Sequence, residues 1–331
     1  MKIKLFLAFM LGVMAFTYGV VVGVYKTFPY SEIVAIKKSF FSKENRWDLT
    51  EEQEIDGGFT LVNTSNYSHE IDTVASTVTG NSAPLIVSLH TWSGNYLQPD
   101  PLASKFVELG FNYIHPNFQG ANNNENSCLS SKVISDIDSA IDWAIENGSV
   151  DTDAIYVIGA SGGGYTALGY ASHSKHQIRH TYAWVPITNL HQWYLQSRSR
   201  KSKYADDILG CIGSNEVDSE KLLARSPINM APIRSTRISI YAGIEDGYNG
   251  SVPISHSINY FNEFANEDDK IRFDDALSLV TRAVSPTDKT IGERRIFIDK
   301  KSNNLRLTIF NGGHEMLEGV AINEILSAIS S

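Results

Sequence analysis

Cysteine is almost missing from this chain: Cys128 and Cys211 are the two in 331 residues. Neither has a neighbour close enough for a zinc knuckle. None of the nine histidines falls in an H-E-x-x-H or comparable spacing, so nothing in the sequence calls for a metal. Long blocks of Lys or Arg are missing too, and a formal net charge of −9 argues against a nucleic-acid partner. Charge itself is absent from residues 5–25, an apolar run of 21 residues preceded by Lys2 and Lys4. At about 1.5 Å per residue, a helix of that length crosses the hydrocarbon core of a bilayer. No obvious small-x-small cleavage site ends the run, which favours an uncleaved signal-anchor over a signal peptide. Lys26, Lys37 and Lys38 sit on its other side, so the flanking charges leave orientation open. The expectation is an exported protein: residues 1–25 as anchor or signal, 26–50 as a stalk, and 51–331 as the working domain. In an oxidising compartment Cys128 and Cys211 can pair, two unpaired thiols being the alternative.

What is present begins with a strand, a sharp turn and a helix. An apolar, β-branched run, Ile155-Tyr156-Val157-Ile158, enters Gly159-Ala160-Ser161-Gly162-Gly163, and helix-forming residues follow. This is G-x-S-x-G in the context that gives it meaning, a serine pushed out of a tight turn by neighbours that lack side chains. The helix that follows would bring its positive end and free N–H groups beside the hydroxyl. A glycine-rich turn with an incidental serine is the plain alternative.

The rest of the chain decides between them. Residues 59–62 and 72–78 read as antiparallel edge strands, 84–90 as a strand buried on both faces, and 111–116 as another. Between residues 131 and 147, Val133, Ile134, Ile137, Ala140, Ile141, Ala144 and Ile145 fall on one helical face. Strands follow at 181–187 and 236–242, and the last at 305–310. Strands alternating with helices predict a mostly parallel sheet covered on both faces, with reactive groups at the carboxyl ends of its strands. Residues 189–230 break the alternation with Trp193, Tyr194, Arg198, Arg200, Lys201, Lys203 and Tyr204. They read as a lid inserted over that end, or as amphipathic helices packed on the body.

Two more strand ends carry the partners a nucleophilic serine needs. The 236–242 strand runs into Gly243-Ile244-Glu245-Asp246-Gly247, and Pro253 then reads as the first residue of a helix. The last strand runs into Asn311-Gly312-Gly313-His314. Ser161, Asp246 and His314 therefore appear in the order found in α/β-hydrolase triads. Glu245 is a rival for the acid, lying shallower in the turn. His256 is a rival for the base, but reads as a surface residue of the helix after Pro253, and His90 reads as a structural histidine at a strand end.

From about residue 84 onward the chain resembles serine hydrolases of the α/β-hydrolase superfamily, in the branch of prolyl-oligopeptidase catalytic domains and carbohydrate acetyl esterases. The resemblance rests on Leu89-His90-Thr91-Trp92-Ser93-Gly94, the Ser161 elbow, Gly243 to Pro253, and Phe310-Asn311-Gly312-Gly313-His314-Glu315. It implies an α/β-hydrolase fold, no cofactor, and an oxyanion hole formed by the backbone N–H groups of Trp92 and Gly162. Two departures stand out. Thr91 follows His90 where most relatives carry glycine, and the residues before Pro84 are too few for the propeller of the oligopeptidases. The expected activity is an exported carboxylesterase acting on acylated carbohydrate or small esters. A peptidase and a non-catalytic binding protein on the same fold are the alternatives.

Overall fold

The computed structural model describes Tyr18, residues 58–64 and residues 71–330. The expected membrane segment and stalk lie outside these, apart from Tyr18, and among the described residues no helix is long and apolar enough to cross a membrane.

Among the described residues ten strands form one sheet: β1 (Thr60–Asn63), β2 (Asp72–Ser76), β3 (Ala83–Leu89), β4 (Asn112–Pro116), β5 (Val150–Ala160), β6 (His180–Trp184), β7 (Arg237–Gly243), β8 (Thr290–Ile291), β9 (Arg294–Ser302) and β10 (Leu305–Phe310). Their spatial order is β1-β2-β4-β3-β5-β6-β7-β10-β9-β8. The inner six, from β4 to β10, are parallel, and antiparallel strands close both sides. The order reverses at β3, which has β4 on one side and β5 on the other. Crossovers leave in opposite directions from such a point and open a crevice at the carboxyl ends. The ends of β3 and β5 carry the His90–Gly94 turn and Ser161, so the reversal brings these two segments together.

Helices α1 (Ala103–Glu108), α2 (Ser131–Asn147), α3 (Gly162–His173), α4 (Leu190–Ser199), α5 (Tyr204–Cys211), α6 (Ser219–Ala224), α7 (Ser255–Phe264), α8 (Phe273–Val280) and α9 (Glu318–Ile329) accompany the sheet. The α2 helix starts where Ser130 accepts a bond from the Val133 N–H, leaving one fewer orphan donor. Its apolar face then buries Val133, Ile137, Ala140, Ile141 and Ala144 in the larger core cluster, against Leu85, Val87 and Val157 of the sheet. A second cluster gathers Ile238, Ile240, Leu307 and Ile309 with Ile258 and Phe261 of α7.

The 189–230 insertion forms α4, α5 and α6 between β6 and β7. Leu190, Trp193, Ile208, Cys211 and Leu222 belong to the main core, so the insertion packs as part of the body along much of its length. Pro253 does not open a helix as expected. It sits ahead of α7, whose N-cap is Ile254. Cys128, in the Asn-rich loop after β4, and Cys211, at the end of α5, are bridged, with Cα atoms 5.7 Å apart.

Candidate active site

Ser161 has φ 56° and ψ −115°, a left-handed backbone that few residues other than glycine adopt. Such strain costs on the order of 1–3 kcal/mol and persists only where the surroundings over-determine it. Here the Ser161 N–H donates to the Trp184 carbonyl at 2.8 Å, and the flanking glycines have no room for side chains. A Cβ on Gly159 would lie 2.3 Å from the Gly163 carbonyl carbon, and one on Gly163 would lie 2.1 Å from the Leu89 oxygen. Strand and helix thus touch backbone to backbone, and the serine is left at the apex.

The same closeness recruits the turn after β3. A Cβ on Gly162 would fall 2.2 Å from the Trp92 nitrogen, so these two amides are neighbours. Neither N–H donates to any group among the described residues. The turn is closed by the Gly94 N–H on the Thr91 carbonyl at 3.0 Å. Thr91, the departure from glycine, is used: its N–H and its hydroxyl both donate to Gln98 Oε1, at 3.0 and 2.7 Å. The Trp92 indole packs edge-on against Trp193, with ring centres 4.7 Å apart, and Trp193 stacks on Tyr204 at 5.0 Å. The insertion therefore braces this turn.

Asp246 and His314 approach the elbow from β7 and β10. His314 Nδ1 donates to Asp246 Oδ2 at 2.7 Å, while Asp246 Oδ1 accepts from the N–H groups of Gly247 at 2.8 Å and Val252 at 3.1 Å. Both oxygens of a carboxylate only 2% exposed are thus engaged, which fixes its plane. Gly250 is required beside them, since a Cβ there would lie 2.2 Å from Asp246 Oδ1 and 2.6 Å from His314 Cβ. With Nδ1 carrying the proton, Nε2 is the basic nitrogen. It lies 3.4 Å from the Ser251 hydroxyl, a contact with no counterpart in the sequence reasoning. Ser161, His314, Ser251, Trp92 and Tyr204 line one cavity of about 250 Å³.

The rivals are placed elsewhere. Glu245 is paired with Arg282 at 2.5 Å. His90 is buried, stacked on Phe118 with ring centres 3.8 Å apart, and held neutral: burial and, second, His115 push its pKa down to about 3. His256 is not the surface residue expected. It is fully buried, accepts from the Thr188 N–H on Nδ1 at 3.1 Å and meets Gln196 Oε1 with Nε2 at 3.0 Å. Burial lowers its pKa to about 3, making it a neutral strut between α7 and α4.

Residues 102–275, more than half of the chain, match the model of the prolyl oligopeptidase family, a span that includes Ser161 and Asp246. The chain belongs to the prolyl oligopeptidase family. No curated protein matches its sequence. Solved structures similar to this family member include acylaminoacyl peptidase from Pyrococcus horikoshii, at 16% identity and TM-score 0.56, covering 77% of this chain and 37% of that one. A puromycin-hydrolyzing peptidase from Mycobacterium tuberculosis is similar at 14% identity and TM-score 0.54, covering 84% and 39%. Dipeptidyl peptidase 4 from Porphyromonas gingivalis follows at 11% and 0.53, covering 82% and 35%. At such identities the likeness shows the α/β-hydrolase fold, and this chain spans about two fifths of the length of those it matches. The carbohydrate acetyl esterase branch finds no support among these matches.

Proposed function

We propose that this protein is a serine peptidase of small peptide substrates, with Ser161 as nucleophile, His314 as general base and acid, and Asp246 as its orienting partner. The observation that carries the reading is the bonded His314–Asp246 pair on the cavity that also holds the strained Ser161 elbow. Ser161 Oγ attacks the carbonyl carbon and its proton passes to His314 Nε2. The oxyanion is received by the N–H groups of Trp92 and Gly162, each such donor being worth about 2.7–4 kcal/mol to the transition state. Collapse breaks the acyl bond, and the departing amine takes the proton from Nε2. Water then repeats the sequence on the acyl-enzyme, and no cofactor enters.

The peptidase names of the similar structures favour amide over ester cleavage, reversing the order of the two expectations from sequence. The experiment is a panel of short peptide anilides against aryl esters of the same acyl groups. The reading expects anilide turnover that Ser161→Ala abolishes. Ester turnover with no anilide or peptide turnover would restore the esterase.

The proposal extends to location. A bridged Cys128–Cys211 fits an oxidising compartment, and the apolar run of residues 5–25 supplies a route to it. Protease accessibility of the domain in intact cells, from outside and not from within, tests this.

A further inference from the structure

A second cavity, of about 440 Å³, adjoins the first. It shares Tyr204, Ser251 and His314 with the first cavity but contains neither Ser161 nor Trp92, so it opens on the side of the imidazole away from the oxyanion turn. His314 Nε2 hands its proton to the leaving group, and that side is where the leaving group must lie. Arg200 lines this cavity and donates to the Gly250 carbonyl at 3.4 Å, while the Gly250 Cα abuts His314. One residue therefore separates the guanidinium from the catalytic imidazole. That bond occupies one of five guanidinium donors. Lys203 stands at the mouth of the first cavity, with Nζ 3.2 Å from the Ser93 hydroxyl. Arg198 and Lys201 complete four cations within residues 198–203 of a chain whose net charge is −9. Among the described residues none of the four is within 4.0 Å of a carboxylate; burial raises the pKa of Asp207, and Lys203 nearby offsets part of that rise.

Resting on the triad reading above, we infer that the leaving group of the substrate carries a carboxylate held by Arg200 and steered by Lys203. An extended residue spans about 3.3–3.6 Å, so a carboxylate one or two residues beyond the scissile bond fits the spacing. In a peptide this is the free C-terminus of a released amino acid or dipeptide. In a sugar ester it would be a uronate.

The test uses the full chain and two activated esters differing only in the leaving group, 4-acetoxybenzoate and 4-acetoxybenzamide. The carboxylate ester should be preferred in kcat/KM by about tenfold or more at low salt, the range of a charge-assisted contact, with the preference falling as salt screens it. Arg200→Gln should remove most of the preference and Arg200→Lys should keep part of it. Acetyl-alanyl-alanine against its C-terminal amide, and acetylated glucuronate against acetylated glucose, then separate the peptide source from the sugar source. Covalent labelling by an uncharged fluorophosphonate runs alongside. If Ser161 labels but the two aryl esters turn over equally, or neither turns over, or the preference survives Arg200→Gln, the carboxylate inference is overturned and the triad stands. If Ser161 does not label, both fall.

Discussion

The Cys128–Cys211 bridge ties the Asn-rich loop to the insertion, and its removal has a calculable cost. The bond spans 83 residues of sequence, a loop that contains Ser161. The loop-closure entropy it takes from the unfolded chain corresponds to about 4.5 kcal/mol at 25 °C. Both cysteines are fully buried, so the cleanest perturbation is Cys128→Ala with Cys211→Ala, which leaves no new polar group inside. With an m-value of about 3 kcal/mol/M in urea, the unfolding midpoint should fall by about 1.5 M, read by circular dichroism with the oxidised parent as reference. The local effect should be larger at the pocket than at the sheet. The end of α5 rests directly on the loop, since a Cβ on Gly210 would meet the Asn123 oxygen at 2.1 Å, and α5 begins with the cavity residue Tyr204. KM should therefore rise in the double variant before kcat falls. Two titratable thiols in the protein isolated without reductant, or an unfolding midpoint unchanged by the double substitution, would refute the reasoning.

Two further outcomes follow from the same structure. Asp246→Asn should lose up to about 10⁴ in kcat by stabilising the wrong imidazole tautomer, whereas Glu245→Gln should cost little, because Glu245 faces Arg282. The opposite ranking in steady-state kinetics would move the acid. The protein should also be acid-labile: His90 and His256 are buried and His180 is half-buried, and all three have pKa values lowered to about 3, chiefly by desolvation. Each lies below its unfolded value of about 6.5, so its contribution is complete above that pH and is lost as pH falls toward 3, at about 1.4 kcal/mol per unit per group. Three such groups exhaust a stability of about 5–15 kcal/mol within a few units. Cooperative unfolding above pH 3 is expected, and a protein still folded at pH 3 would contradict it.

Much of the sheet was legible because the central part of its strands is buried and reads as an apolar run, as Leu85–Val87 of β3 and Ile155–Ile158 of β5 do, whereas the polar start of β5, Asp151-Thr152-Asp153, carries no such signal. The α2 helix and β10 were read to the residue. The segment between α7 and β10 was not. In β9 the run Arg294-Arg295-Ile296-Phe297-Ile298-Asp299-Lys300-Lys301 is mostly half-buried near a sheet edge, so period-two patterning is weak. In α8, Phe273 and Leu277 are exposed, so the apolar spacing of this helix does not mark a buried face. His256 failed for a different reason: its partners Thr188 and Gln196 lie 60 or more residues away, and nothing local announces them. The same holds for Ser251, which meets His314 across 63 residues. The candidate triad residues Ser161, Asp246 and His314 stand out in the sequence because each follows a strand and sits among glycines whose absent side chains the packing requires.

The central claim is that Ser161, and not the nearby Ser251, is the nucleophile served by His314. A fluorophosphonate probe followed by peptide mapping tests it most directly. A covalent adduct on Ser161 is expected, with full loss of labelling in Ser161→Ala at an unchanged circular dichroism spectrum and labelling retained in Ser251→Ala. An adduct on Ser251, or undiminished labelling of a folded Ser161→Ala protein, would contradict it.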